Sequence, residues 1–331
     1  MSLVSVILVH YRDPEGIAGA LASVRQETHD HDLEIFIVDN EGSETAQRRL
    51  LAEAPDAHWI AAPQNPGFAA AVNLALAEAR GEWILLLNPD TRLQGPALDT
   101  CLAVADGLSP APDVLGCSHH NRDGSFQRSA YPRATWPGPM AALANQPLAR
   151  PLLRRFAPAA LAAKNTNTHR REQEVSHATD AVQGSFLLAR REAALAVGGF
   201  DPDFFLYCEE IDFCRRIRAR GGQVFFCAEA SVSHGGDARR SDRARRRQAA
   251  LSEDLFVWKA HGPPGYLAYL LLRYLNLAGA LVAWPLLDEA TRRRTQAQIE
   301  DWRPLDPRHL LIPLRYGRRR ASRDLPLRSA D

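Results

Sequence analysis

Several short motifs that would announce a chemistry are absent from this chain. The turn after the first strand-like run reads "HYRDPEG", with no G-x-G-x-x-G for a dinucleotide and no G-x-x-x-x-G-K for a P-loop. No G-x-S-x-G elbow occurs, which argues against an α/β-hydrolase. The five cysteines (101, 117, 208, 214, 227) form no C-x-x-C pair and no Cys/His metal spacing. Their odd number fits reduced thiols in a cytoplasmic protein. Lysine is nearly missing, with Lys164 and Lys259 alone among 40 basic residues. The formal net charge is only +1, so no global field draws the protein onto nucleic acid. The opening "MSLVSVILVHYRD" has no basic segment ahead of its apolar run, so no secretory signal is expected.

What is present is the composition of a globular protein: 331 residues, 46% hydrophobic and 24% charged, enough for one large or two ordinary domains. The first half alternates apolar runs with helical patterns. "LVSVILV" (3–9), "LEIFIVD" (33–39), "HWIAA" (58–62), "EWILLLN" (82–88) and "DVLGC" (113–117) read as strands, mostly aliphatic as in strands covered on both faces. Helical spacing fills the gaps in "EGIAGALASVRQ", "ETAQRRLLAEA" and "FAAAVNLALAEAR", the last closed by Gly81 at a C′-like position. This alternation predicts an α/β fold with a mainly parallel sheet and right-handed crossovers.

Further along, "NRDGSFQRSAYPRATWPGP" reads as a hairpin about Asp123–Gly124 followed by a loop. Residues 140–163 read as helical and "KNTNTHRREQE" (164–174) as a polar loop. "AVQGSFLLARR" and "QVFFCAEASVSH" read as strands, and "REAALAVGGF" and "EEIDFCRRIRARGG" as helices. No internal repeat is visible.

In such sheets ligands sit at the carboxyl ends of the strands. Polar residues gather there: His10, Tyr11 and Arg12; Asp39 and Asn40; Asn65 and Gly67; Asn88 and Asp90. Singly, each set is explained by a helix cap or a turn. Four sets on one edge are harder to assign to capping. A carboxylate ending the second strand can accept hydrogen bonds from a base or ribose. One ending the fourth can hold a hard divalent cation against a diphosphate.

In order, "VSVILVHYRDP", "IVDNEGSE", "NPGFAAAVNLAL", "LLLNPDTRL", "GSFLLARREAALAVGGFDPDFFLYCEEIDFCRRIRARG" and "SVSHGG" resemble the blocks of family 2 glycosyltransferases. The resemblance spans about residues 3–240 and is closest to the bacterial rhamnosyltransferase-like branch. It implies a GT-A fold, a Rossmann-like mainly parallel sheet flanked by helices. Residues 1–118 would then form the nucleotide-sugar half, 119–255 the acceptor half and 256–331 a helical extension. The implied reaction is inverting transfer of a sugar, rhamnose as first guess, from a nucleotide-diphosphate donor to a glycan or lipid-linked acceptor. A divalent metal, Mg2+ or Mn2+, would sit on the diphosphate.

Matched residue by residue, Asp39 falls where the family contacts the base, and His10 and Arg12 line the same pocket. Asn40, Asn65, Gly67, Asn73 and Asn88 fall on the nucleotide-sugar side. Asn88 replaces the first acidic residue of the family's DxD, which leaves Asp90 as metal ligand, and His234 matches a histidine that can join it. Gly184, Ser185 and Glu209 lie on the acceptor side. In "FFLYCEEIDFCRRI" the catalytic base position is Glu210, where the family more usually has Asp, with Asp212 as second candidate. Residue spacing alone explains Glu209 and Asp212 as a helix start whose acids face the arginines of the next turn, and explains Glu210 less well.

Two competing classes stay open at this point. A sugar nucleotidyltransferase would need a basic Gly-rich triphosphate loop, which "HYRDPEG" does not resemble. A transferase relative that only binds is favoured by Asn88 and the Glu-for-Asp change alone. The run "GYLAYLLLRYLNLAGALVAWPLL" (265–287) admits three readings: an apolar helix or helix pair covering the domain, a helix lying on a membrane surface, or a span. Arg273, Asn276 and Pro285 weigh against a span.

Overall fold

The structure is a computed structural model that describes residues 1–131, 173–235, 243–282 and 284–286, with nine single or paired positions between 289 and 312. The helix expected over 140–163 and most of the polar loop 164–174 lie outside the described residues.

The first half builds a parallel sheet from β1 (Leu3–His10), β2 (Asp32–Asp39), β3 (His58–Ala61) and β4 (Trp83–Leu87), in spatial order β3-β2-β1-β4. Val4 through His10 are all buried, because helices cover both faces of β1, and burying each large aliphatic side chain contributes about 1.5–3 kcal/mol. α1 (Pro14–Glu27) begins where Asp13 accepts the Gly16 N–H at 2.9 Å and Pro14 presets the first turn. α2 (Glu44–Glu53) is capped by Ser43, whose hydroxyl accepts from Ala46 N at 3.2 Å. α3 (Phe68–Glu78) ends differently from the expectation. Its C-cap is Ala79 in extended backbone, and Gly81 serves another purpose. A Cβ on Gly81 would lie 2.6 Å from Ser5 N and 2.8 Å from Leu3 O, so the glycine lets the chain pass against β1.

Two elements escaped the sequence reading: β5 (Thr91–Gln94) and α4 (Ala97–Gly107), directly after "NPD". β6 (Val114–His120) follows and pairs with the short β7 (Phe126–Gln127) across the predicted hairpin. After β8 (His177–Ala178) come β9 (Phe186–Arg190), α5 (Arg191–Ala196), α6 (Glu209–Ala219) and β10 (Val224–His234). β9 lies antiparallel between β4 and β6, β10 runs parallel to β6, and β5 closes the edge antiparallel to β10. All these strands share one sheet.

The chain divides into two compact units: Met1–Arg133 with Gln173–Gly236 and Ala321–Asp331, and Ala134–Glu172 with Asp237–Arg320. The first contains the sheet. In the second, α7 (Arg243–Val282) is really two helices joined at Gly262, which adopts φ 66° just before Pro263 and Pro264. Asp254, fully buried, ties the two arms together. It accepts from Tyr269 Oη at 2.8 Å and His309 Nδ1 at 2.7 Å and pairs with Arg273. That explains an arginine in the middle of an apolar run: its charge is neutralised within the unit. Among the described residues no helix is long and apolar enough to cross a membrane. The second arm does expose Leu267, Leu271, Leu275 and Val282, each more than half accessible, at spacings that share a helix face.

Candidate active site

The parallel register of β1 and β2 places His10 beside Asp39, and His10 Nδ1 donates to Asp39 Oδ1 at 2.9 Å in a buried pair. Asp39 also accepts Glu41 N at Oδ1 (2.9 Å) and Ser43 N at Oδ2 (3.1 Å), which shapes the turn into α2. One lone pair of Oδ2 remains for a ligand. Asn40 continues the line: its N–H donates to His10 O at 2.9 Å and its amide reaches Asn65 Oδ1 at 3.3 Å and Gly67 O at 3.4 Å. His10 Nε2 and Asn40 Oδ1 are buried with no hydrogen-bond partner, two polar atoms available to an incoming group. Arg12 and its neighbour Tyr11 are exposed, the guanidinium 5.1 Å from the Tyr11 ring centre.

The loop after β3 is pressed onto the segment leading to α6. Gly67 has φ 96°, and a Cβ there would lie 2.7 Å from Phe205 O. Phe68 N donates to that same oxygen at 2.7 Å. Asn73 clamps the next stretch, because its amide donates to Phe200 O (2.6 Å) and accepts from Phe200 N (2.8 Å). Its side chain is thus committed to backbone that leads toward the acidic helix.

That helix begins under backbone strain. Tyr207 and Cys208 adopt φ of 70° and 66°, a left-handed conformation that costs a side-chain-bearing residue about 1–2 kcal/mol. Among the described residues, the other non-glycine positions with positive φ are Arg12 and Asn65, both in loops just named. Strain of this kind collects where geometry must be imposed. The three carboxylates of α6 then separate. Glu209 is buried at 5% exposure, and Asp212 at 1% is held by Arg215 Nη2 (2.7 Å) and Arg216 Nε (2.6 Å). Arg216 also donates to Val197 O and Gly199 O, anchoring the helix to the glycine loop after α5. Glu210 is partly buried, its Oε2 enclosed, and stands against Gly184, where an added Cβ would be 3.3 Å from its own Cβ.

Gly184 and Ser185 precede β9, whose antiparallel course brings its start to the carboxyl end of β4: Asn88 N donates to Ser185 O at 3.0 Å. The "NPD" turn that follows places Asp90 beside the end of β10, with Asp90 Oδ1 3.3 Å from His234 Nε2 and Gly235 N donating to Asp90 O. Burial pushes the Asp90 carboxyl up, but the hydrogen bond and charge of His234, helped by Arg122, hold it below the usual carboxylate range. His234 Nδ1 meets Gln127 Oε1 at 2.9 Å. Behind it, His119 lies fully buried between Cys117 O (2.8 Å, at Nδ1) and Ser185 Oγ (2.8 Å, at Nε2). Burial pushes His119 down to about 3, so it is neutral and Ser185 donates to it.

Every candidate from the sequence therefore lies along one edge of the sheet or on the segments packed against it. Sequence reasoning missed Gln127, His119 and the β5 partner of β10. The hairpin at Asp123–Gly124 was a signal for the first, but nothing in "NRDGSFQ" says which residue faces His234. Among the described residues no group of three or more His, Cys, Asp or Glu side chains is arranged to hold a metal ion.

A parallel Rossmann-like half, continued by antiparallel β9 and a helix opening on carboxylates, is the GT-A glycosyltransferase architecture. The mannosyltransferase PcManGT of Pyrobaculum calidifontis, solved in complex with GDP-Man and Mn2+, superposes with a TM-score of 0.55 at 18% identity over 94% of this chain and 85% of its own. Residues 5–164 match the family model for glycosyl transferase family 2. That match spans just under half of the chain, and together with the relatives below it makes the chain a glycosyltransferase similar to family 2. Its relatives include the N-acetylglucosaminyl-diphospho-decaprenol L-rhamnosyltransferase of Mycobacterium tuberculosis, 26% identical over 242 residues, covering 69% of this chain and 75% of that protein. The low-salt glycan biosynthesis hexosyltransferase Agl10 of Haloferax volcanii is 24% identical over 238 residues, 70% of this chain and 66% of that protein.

Proposed function

We propose that the chain transfers a sugar, with inversion, from a nucleoside diphosphate donor to a hydroxyl of a glycan or lipid-linked acceptor, and that Glu210 is the general base. Rhamnose is the first candidate sugar, because the mycobacterial relative is named for an L-rhamnosyl transfer onto a lipid diphosphate sugar. One observation carries the assignment of the base. Of the three acids that open α6, Glu209 is buried and Asp212 is neutralised by two arginines, whereas Glu210 is only partly buried and lies against Gly184, at the start of β9. A carboxylate so placed can take the proton of an acceptor hydroxyl as that oxygen attacks the anomeric carbon.

The nucleotide belongs at His10, Asp39 and Asn40, where buried acceptor atoms await donors of a base or ribose. Arg12, exposed in the adjoining loop, suits phosphate charge. Asp90 and His234 fit a divalent cation: one carboxylate oxygen and one imidazole nitrogen converge at 3.3 Å, and diphosphate and water complete such a shell. When bound, the cation neutralises charge on the leaving diphosphate. The chain's own task is to hold the donor at the strand ends, keep Asp90 ionised, and present Glu210 across the sugar from the leaving group.

Glu210→Gln tests the base. Nucleoside diphosphate release should fall about 10²–10⁴-fold, with nucleotide binding by thermal shift nearly unchanged. Full activity in that variant sinks the assignment.

The acceptor reading also gives the exposed leucines of α7 a role, as a face resting on the membrane that carries a lipid-linked acceptor. Substituting Leu267, Leu271 and Leu275 with Gln should reduce flotation with anionic liposomes and leave intact the release of nucleoside diphosphate from the donor when a soluble acceptor is supplied. Equal flotation of both proteins refutes this face.

A further inference from the structure

The assignment of Asp90 and His234 to a cation leaves open what holds the histidine in a ligating state. An imidazole binds a metal through a bare nitrogen, and which nitrogen is bare depends on the hydrogen bond made by the other. Nε2 is the atom facing Asp90, at 3.3 Å from Oδ1. Nδ1 faces Gln127 Oε1 at 2.9 Å. A carboxamide oxygen can only accept, so this contact requires a proton on Nδ1. Nε2 is then the nitrogen that faces Asp90, donating to the carboxylate when the ring is protonated and offering its electron pair when the ring is neutral. A neutral imidazole nitrogen and a carboxylate oxygen at this separation can share one divalent cation.

Gln127 is held for this purpose. It lies on β7, in register with His119, and the turn beneath it is closed by Asn121 N to Ser125 O (2.8 Å), by Gly124 at φ 77°, and by Ser125 N to Asp123 (2.9 Å). His234 is itself fixed opposite Thr91 in the β10–β5 pairing, and His119 abuts its ring edge-on, the ring centres 6.0 Å apart. Gln127 meets the Nδ1 edge of the His234 ring, opposite the Nε2 that faces Asp90. It acts through His234.

We propose that Gln127 is the positioning residue of the cation site, fixing the Nδ1–H tautomer of His234 so that Nε2 is presented to a divalent cation shared with Asp90. The inference rests on His234 being a ligand, and the experiment separates the two claims. Mn2+ dissociation constants are measured by electron paramagnetic resonance with UDP or dTDP present. Gln127→Leu, which keeps bulk and removes the acceptor, should weaken Mn2+ binding about 10- to 100-fold. Gln127→Glu, which keeps an acceptor, should restore it. In a His234→Ala background Gln127→Leu should add no further loss. The metal KM should rise in Gln127→Leu more than kcat falls.

Unchanged Mn2+ affinity in Gln127→Leu, with affinity lost in His234→Ala, overturns the role of Gln127 alone. Unchanged affinity in His234→Ala overturns the ligand role and this proposal with it. A readout on the native sequence guards against a variant that fails to fold. With Mg2+ and nucleoside diphosphate bound, ¹⁵N spectra of His234 should show a protonated Nδ1. An unprotonated Nδ1 refutes the proposal.

Discussion

Gly67→Ala tests the contact between the loop after β3 and the segment that leads into α6. Gly67 sits at φ 96° and ψ 171°, a region open almost only to glycine, where any other residue costs about 1–3 kcal/mol. The new methyl would also lie 2.7 Å from Phe205 O and 2.9 Å from Phe205 Cα. Those are backbone atoms and cannot rotate away. Restoring ordinary contact requires a displacement of about 0.7 Å, since such contacts begin near 3.4 Å. That movement breaks the Phe68 N to Phe205 O hydrogen bond, worth about 1 kcal/mol. The combined loss of about 2–4 kcal/mol lowers Tm by roughly 4–16 °C for a unit of this size. Phe205 is five residues before Glu210, and a shift approaching 1 Å costs up to about 10²-fold in rate, so kcat should fall about 10- to 100-fold. Gly124→Ala is the control. It also has positive φ, 77°, but nothing lies within 4 Å of the added methyl. Differential scanning calorimetry and nucleoside diphosphate release read the two effects. If Gly67→Ala melts no lower than Gly124→Ala and turns over normally, the proposed clamp is refuted.

Two other outcomes follow from the carboxylates. Asp212→Asn removes the counter-charge of Arg215 and Arg216, whose side chains are 30% and 12% exposed, which costs about 1–3 kcal/mol and lowers Tm beyond any effect of Glu210→Gln. Equal melting of the two variants would contradict the division of roles in α6. Glu34 tests pH dependence away from the site. Burial pushes its carboxyl up, but the N–H groups of Arg80 and the Ser5 hydroxyl outweigh that and hold it below the ordinary glutamate value. A depressed folded pKa means stability that is complete above the unfolded value, near 4.5, and lost as pH falls through the folded one. The Tm gap between the native protein and Glu34→Gln should therefore be constant above about pH 5.5 and close below it. A gap that widens in acid contradicts the sign.

Much of the sheet was legible because its strands are buried on both faces and written in unbroken aliphatic runs. "LVSVILV" and "EWILLLN" cannot easily be anything else once helical spacing flanks them. β5 was not legible, since "TRLQ" has neither length nor pattern, and it becomes a strand only because β10 lies ready to pair with it. Gly81 misled for a related reason. Local rules made it a helix stop, whereas its requirement comes from β1, about 76 residues earlier in the chain. Site residues at strand ends were visible as clusters, yet their partners were not. The pairing of Asp212 with Arg215 and Arg216 follows helix spacing and was readable. The bonds of Asn73 to Phe200, Gln127 to His234 and His119 to Ser185 link residues far apart in sequence. No local pattern encodes them.

The edge formed by β5 and β10 also governs when the molecule becomes competent. Asp90 and His234 are separated by most of the sheet-forming sequence, and they meet only after β10 has docked between β6 and β5. Contacts of such separation form late, because a long loop must close before they contribute. On the ribosome β1 to β4 emerge first, while the Asp90–His234 pair waits for residue 234. The Asp90–His234 contact therefore forms only once β10 is in place, and on the proposed assignment a chain stopped short of β10 would lack its cation site.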